Sequence, residues 1–290
     1  MRKKTYTYWL EISSNNLNIE YGINDRLAFY DYDGGSHYFE APIDHFLFKG
    51  KNSAYIRFSP ETPKSSAVSS AHSVANLKVV IQVMNISTRH LQKLELFEAS
   101  VNPVTNEVEV LTAPDQNRDP LNAKDLSRLL KRLPDFPEQG KTKGLEVDFW
   151  VQDEFPLHFY PAGHEMKITP QLEQGAQQAM YDLLKLYQSR DVGGITGAYS
   201  RSWEHMAKSF EYGSSSSDFA TGVDVSSDIN RSKFQFVLDF SKSKLRLDGY
   251  GKLLGYHPPP LMAKESDGFV AMEFPVFFML DSKQGLNISG

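Results

Sequence analysis

The chain contains no cysteine, which removes disulfides, thiolate nucleophiles and cysteine-ligated metals together. Long apolar runs are missing as well, and no stretch approaches the roughly 18 apolar residues that a membrane-spanning helix needs. Met1-Arg-Lys-Lys has the charge of an export signal, but Thr5–Glu11 (TYTYWLE) supplies no apolar segment behind it. Basic excess is absent too. The formal net charge is −5, and acidic residues outnumber basic ones on both sides of Pro161. A nucleic-acid grip built on phosphate neutralisation therefore has no footprint. There is no Gly-x-Ser-x-Gly elbow, no Walker loop and no dinucleotide fingerprint. These absences make the cytoplasm the expected compartment and leave nucleic acid and membrane outside the expected partners.

With 290 residues the chain exceeds one typical core, and two domains are expected. Apolar residues make up 40% and charged residues 23%, an ordinary globular balance. Aromatics reach 12% and alternate with Gly, Asn and Asp punctuation, which favours sheet. Tyr8, Leu10 and Ile12 share one strand face; Leu17, Ile19 and Tyr21 share another. Asn24-Asp25, Asp33-Gly34-Gly35 and Lys49–Asn52 have turn chemistry, because Gly and Asn accept positive φ at low cost. Leu77–Met84 reads as a buried strand, and the segments 94–96 and 108–111 flank a Pro103–Asn106 turn as a hairpin. The spacing predicts an N-terminal antiparallel β-sandwich over residues 1–160. Two insertions are expected in it: a Ser/Ala/Pro-rich loop at Pro60–Ser73, and a short helix over Asn122–Leu133 with Lys124, Arg128, Lys131 and Arg132 on its polar side. Val147–Tyr160 is expected to close the sandwich.

Residues 161–290 change character. Thr169-Pro170 is a helix start, followed by Leu172, Ala176, Met180, Leu183, Leu184 and Tyr187 at helical spacing. A second helix is expected from Asp191 to Phe210, then a flexible break at Gly213 and the four serines after it. Strands are expected at Phe234–Phe240, Lys244–Leu247, Lys252–Tyr256 and, as one long strand, Phe269–Leu280, with a bulge or edge position at Pro275. Helices followed by an antiparallel sheet give an α+β, cone-like second domain.

The chemistry-bearing residues form no strong motif. His158, His164 and Glu165 beside Asp153-Glu154 do not match a metal-ligand spacing. Asp31-Tyr-Asp33-Gly34 lacks the closing Glu of a calcium loop. No cofactor or metal is expected. If the second domain held a catalytic pocket, Asp182 and His205 would be its acid–base pair.

Asn18–Asn52, with its polar turn, Gly-Gly hairpin and Gly-x-Asn turn, resembles a family of bacterial sandwich domains. Phe155–Tyr160, Leu183–Asp191 and Leu245–Leu254 resemble the back half of that family, which is similar to the nuclear-transport-factor-like (SnoaL-like) cone fold. Proteins of this two-part shape resemble immunity proteins encoded beside type VI secretion effectors. The resemblance implies a non-enzymatic role, holding a cognate effector toxin inactive, and a nuclease-type toxin fits the expected compartment. It carries over no site residues. The alternatives are a small-molecule-binding protein or lyase/isomerase-type enzyme using a pocket in the second domain, and a sandwich recognising lipid or carbohydrate. A cationic toxin site would be met by acidic loops, and two clusters are supplied: Asp25 with Asp31 and Asp33, and Asp224 with Asp228.

Overall fold

The computed structural model describes residues 4–31, 36–60, 75–102, 108–112, 131–133, 143–156, 164–231, 233–280 and 286–288. It is a mixed α+β protein, with strands in four antiparallel sheets and five α-helices among the described residues. The chain divides into two units, Met1–Phe155 and Pro156–Gly290.

In the first unit, alternation of apolar and polar residues dictates which side of each strand is buried. One sheet has the order β4-β1-β6-β7-β8, built from β1 (Tyr6–Asn15), β4 (Ser36–Pro42), β6 (Ala75–Asn85), β7 (Leu91–Val101) and β8 (Val108–Thr112). The other has the order β3-β2-β5-β10-β9, from β2 (Leu17–Ile23), β3 (Arg26–Asp31), β5 (Gly50–Pro60), β9 (Lys131–Leu133) and β10 (Lys143–Val151). Leu10, Ile12, Val79 and Ile81 from the first sheet and Ile19, Tyr21, Ile56 and Phe149 from the second enter a single apolar core. The N-terminal strand is fastened by a buried carboxylate. Asp44 accepts from Lys4 Nζ at 2.6 Å, Thr7 Oγ1 at 2.8 Å and the Tyr8 amide at 3.0 Å.

Two expectations for this unit change, and a third falls almost wholly outside the described residues. Residues 131–133, read as the end of a helix, form β9, with Lys131 opposite Glu146 and Leu133 opposite Gly144 on β10. Backbone pairing to a neighbouring strand overrides a local helical period; positions 122–130 lie outside the described residues. The closing strand runs over Lys143–Val151, starting four residues before Val147, and residues 152–156 are not strand; positions 157–160 lie outside the described residues. The Pro60–Ser73 loop lies, beyond Pro60, outside the described residues.

In the second unit, α1 (Pro170–Gln188) starts at the Thr169-Pro170 signal, and Thr169 Oγ1 accepts the Leu172 amide. Its buried residues Ala176, Met180, Leu183 and Tyr187 form one stripe. They share a core with Phe236, Leu254, Tyr256, Leu261 and Phe278. The expected second helix is instead two, α2 (Val192–Ala198) and α3 (Ser200–Ser209), separated at Tyr199. Three glycines in α2 weaken it. Two further helices follow, α4 (Ser216–Gly222) and α5 (Val225–Asn230).

The strands after them are β11 (Gln235–Leu238), β12 (Lys244–Asp248), β13 (Leu253–His257), β14 (Leu261–Lys264), β15 (Val270–Glu273), β16 (Phe277–Leu280) and β17 (Leu286–Ile288). They form two sheets, β11-β14-β15 and β12-β13-β16-β17. The long strand expected over Phe269–Leu280 is therefore split, and its halves belong to different sheets. Pro275 stands in the break, where its missing N–H costs no ladder bond. No helix among the described residues is long and apolar enough to cross a membrane.

Candidate functional site

The structure treats the two predicted acidic clusters differently. Asp25 occupies the β2–β3 turn with φ 58°, beside Asn24 at 52°. Asn24 fixes that turn by donating to Phe46 O and Asn52 Oδ1, both at 2.8 Å. Asp31 ends β3, where its carboxylate meets His37 Nδ1 at 2.7 Å. The six residues of β3 separate Asp25 from Asp31 by roughly 20 Å at the strand rise of about 3.3 Å per residue. The strand thus holds them at its two ends, and Asp33 lies outside the described residues. Asp224 and Asp228 do come together, at the cap and in the first turn of α5.

That second cluster belongs to a larger surface on α3, α4 and α5. The serine run ahead of α4 is a built cap rather than a flexible break. Asp218 Oδ2 accepts the Ser214 and Ser215 amides at 2.8 Å each, and Ser215 Oγ accepts the Asp218 amide at 3.1 Å, closing a capping box. The backbone N–H of Ser215, then that of Ser214, hold the Asp218 carboxyl below its ordinary value. Gly213 is required beside this cap, because a Cβ there would stand 2.3 Å from Asp218 Oδ2. Asp224 sits in the left-handed region at φ 51° and accepts the Ser227 amide at 3.3 Å, capping α5. Arg190 fastens the other end of α5, donating to the carbonyls of Ile229, Arg231 and Phe234.

Between these caps runs a graded series of aromatic rings. Tyr199 is buried and stacks on Trp203 at 5.2 Å with an interplanar angle of 7°. Trp203 meets Phe219 at 5.7 Å, and Phe219 meets Phe210 and Tyr212 at 6.4 and 6.2 Å. The series ends in solvent at Tyr212, which is 49% exposed. From Ser209 to Asn230 the chain carries Glu211, Asp218, Asp224 and Asp228 and no Lys or Arg. Lys208 and Arg231 flank the stretch, and Arg231 pairs with Asp228 at 2.9 Å. An exposed aromatic step supported from beneath, in a stretch whose charges are all carboxylates, has features of a binding hot spot. Its chemistry suits a cationic knob, through the Tyr212 ring face and the acidic residues of the same stretch.

The acid–base pair weighed for a catalytic pocket does not assemble. Asp182 is exposed and held by Lys185 Nζ at 2.8 Å and Gln178 at 3.2 Å; these bonds lower its carboxyl. His205 is buried, with Nε2 3.5 Å from Ser209 Oγ. His158 lies outside the described residues, and no group of three or more His, Asp or Glu among those described is placed to hold a metal.

The sequence reading missed a charged cluster on the β12–β13 hairpin. Asp248 is 1% exposed; it receives Arg246 Nε and Nη2 at 3.0 Å on one oxygen and stands 2.9 Å from His257 Nε2 on the other. Burial pushes the Asp248 carboxyl up, but His257 and then Arg246 pull it below its ordinary value on balance. The signal was legible as Arg246-x-Asp248, two same-face residues on a strand, with His257 on its partner. The arrangement pairs a buried carboxylate with the Arg246 guanidinium and the His257 ring and secures the hairpin.

Compared with family models, curated proteins and solved structures, the chain matches none of them.

Proposed function

We propose that this protein is a non-catalytic inhibitor that binds a cognate effector toxin and neutralises it in the cytoplasm, in the manner of type VI immunity proteins. The α3–α5 surface carries the reading: an exposed Tyr212, tilted against Phe219 and Phe210, in a stretch whose only charged residues from Ser209 to Asn230 are Glu211, Asp218, Asp224 and Asp228. The capping box and the Arg190 clamp hold that surface in one shape, so little ordering cost falls on binding. A nuclease-type toxin must present cations where it meets nucleic acid, and an acidic, aromatic plug complements such a site. The finer architecture belongs to the same proposal. The common core of the two five-stranded sheets supports an N-terminal β-sandwich, and the α1 stripe covered by four strands supports a nuclear-transport-factor-like cone.

The test is co-expression with the protein encoded by the adjacent reading frame, followed by titration of the purified pair. Rescue of growth with nanomolar binding is expected. Growth arrest that persists despite soluble expression of both proteins contradicts the reading.

A further inference from the structure

β4 is an edge strand. It pairs with β1 through seven successive residues without a register shift, and among the described residues no strand pairs with its other side. Edge strands usually carry a device that blocks further pairing, such as lysine, an internal proline or a bulge. β4 has none of these before Pro42, its last residue. It is also held in place from within. His37 meets Asp31 at 2.7 Å, and Phe39 stacks on Phe29 with ring centroids 4.1 Å apart. The opposite face presents Ser36, Tyr38 and Glu40 to solvent, Tyr38 at 64% exposure.

The charges beside this edge are unbalanced in one direction. Glu40 stands directly across from Glu11 on β1. Glu11 is met by Lys93 at 2.7 Å and Gln82 at 2.6 Å, which together lower its carboxyl. Glu40 has the Tyr38 hydroxyl at 3.2 Å, and the Lys93 that bonds Glu11 is also within electrostatic reach of Glu40, so one lysine serves two facing carboxylates. The position that would complete the row Glu11–Glu40 is the next strand outward, where like charge is disfavoured and a cation is favoured.

We propose that the β4 edge binds an extended basic segment of a partner polypeptide by strand addition, with a Lys or Arg of the added strand opposite Glu40 and beside Tyr38. Backbone hydrogen bonds supply the attachment and the Glu40 row supplies the selectivity. A second copy of this chain is the wrong occupant. Antiparallel pairing of two β4 strands brings two Glu11–Glu40 rows side by side. The site belongs to the first unit and the α3–α5 surface to the second, and the proposal does not depend on the toxin reading.

Two synthetic seven-residue peptides test it on the full-length protein, one alternating valine with lysine and one alternating valine with glutamate. Hydrogen exchange should show slowed amides at residues 36–42 with the lysine peptide and a roughly tenfold weaker effect with the glutamate peptide. Glu40→Lys, at an exposed position, should reverse that preference while leaving exchange elsewhere unchanged. Absent protection at residues 36–42, equal protection by both peptides, or an unchanged preference in Glu40→Lys overturns the proposal. A concentration-dependent dimer that protects β4 without peptide also overturns it, by making a second copy the occupant.

Discussion

Gly222 lies against the ring of Tyr212, so closely that a Cβ there would stand 2.8 Å from Cδ2 and 2.9 Å from Cγ. The exposed tyrosine of the proposed surface is thus seated on a position without a side chain. Gly222→Ala should displace the ring from Phe219 and Phe210 while changing stability little, since alanine itself favours helix by up to about 1 kcal/mol. Aromatic proton shifts of Tyr212 report the displacement. Wild-type shifts in the variant would contradict this seating.

Ser215 caps α4 and shapes the loop that carries Tyr212. Ser215→Ala should cost roughly 0.5–2 kcal/mol in urea unfolding, the usual range for a lost N-cap, and should speed amide exchange in α4. A loop without this cap would give no change. Because Asp218 is held below its ordinary value of 3.8, its contribution is present above that pH and is lost as pH falls through the lower folded value.

Asp248 makes a second acid-limb prediction. Its folded carboxyl is depressed below 3.8 by His257 and Arg246 despite burial, so the unfolded chain binds the proton first. Stability from this group is therefore complete above pH 3.8 and falls as pH drops through the folded value. Asp248→Asn leaves the part-buried Arg246 guanidinium without this anion and should cost roughly 3–5 kcal/mol at neutral pH. It should also flatten the acid limb of stability against pH. An unchanged limb would mean that other carboxylates set it.

Lys4 and Asp44 form the corresponding pair in the first unit, at 2.6 Å with Asp44 buried. Lys4→Met strands a buried carboxylate, and a loss of roughly 3–5 kcal/mol is expected. Lys4→Met with Asp44→Asn should recover part of that loss, because the amide carries no charge to bury. Equal losses in the single and double variants would show that the pair is not coupled.

Much of the framework was legible because burial follows simple periods. The alternation at Tyr8-x-Leu10-x-Ile12, the run Leu77–Met84 and the Thr169-Pro170 start each lead to an element found in the structure. Reading failed where nonlocal pairing or side-chain capping decides. Residues 131–133 end a stretch with helical apolar spacing in the sequence but pair with β10. The serine run looks flexible by composition, and only the Asp218 carboxylate three residues past Ser215 turns it into a cap. In the acidic clusters, spacing along the chain was a poor guide to spacing in space. Asp25 and Asp31 are six residues apart on an extended strand, whereas Asp224 and Asp228 are four apart on a helix. The aromatic half of the α3–α5 surface draws on α3, α4 and the residues flanking α3 and has no linear signature.

Titration with the protein encoded by the adjacent reading frame tests the central claim most directly, comparing wild type, Tyr212→Ala and Asp224→Asn/Asp228→Asn. Tyr212→Ala should weaken binding by roughly 30-fold or more, as loss of a hot-spot residue worth about 2 kcal/mol does. The double asparagine variant should slow association and flatten its dependence on salt. Unaltered affinity in Tyr212→Ala together with unaltered association in the double variant would contradict the account, by placing the partner on another face.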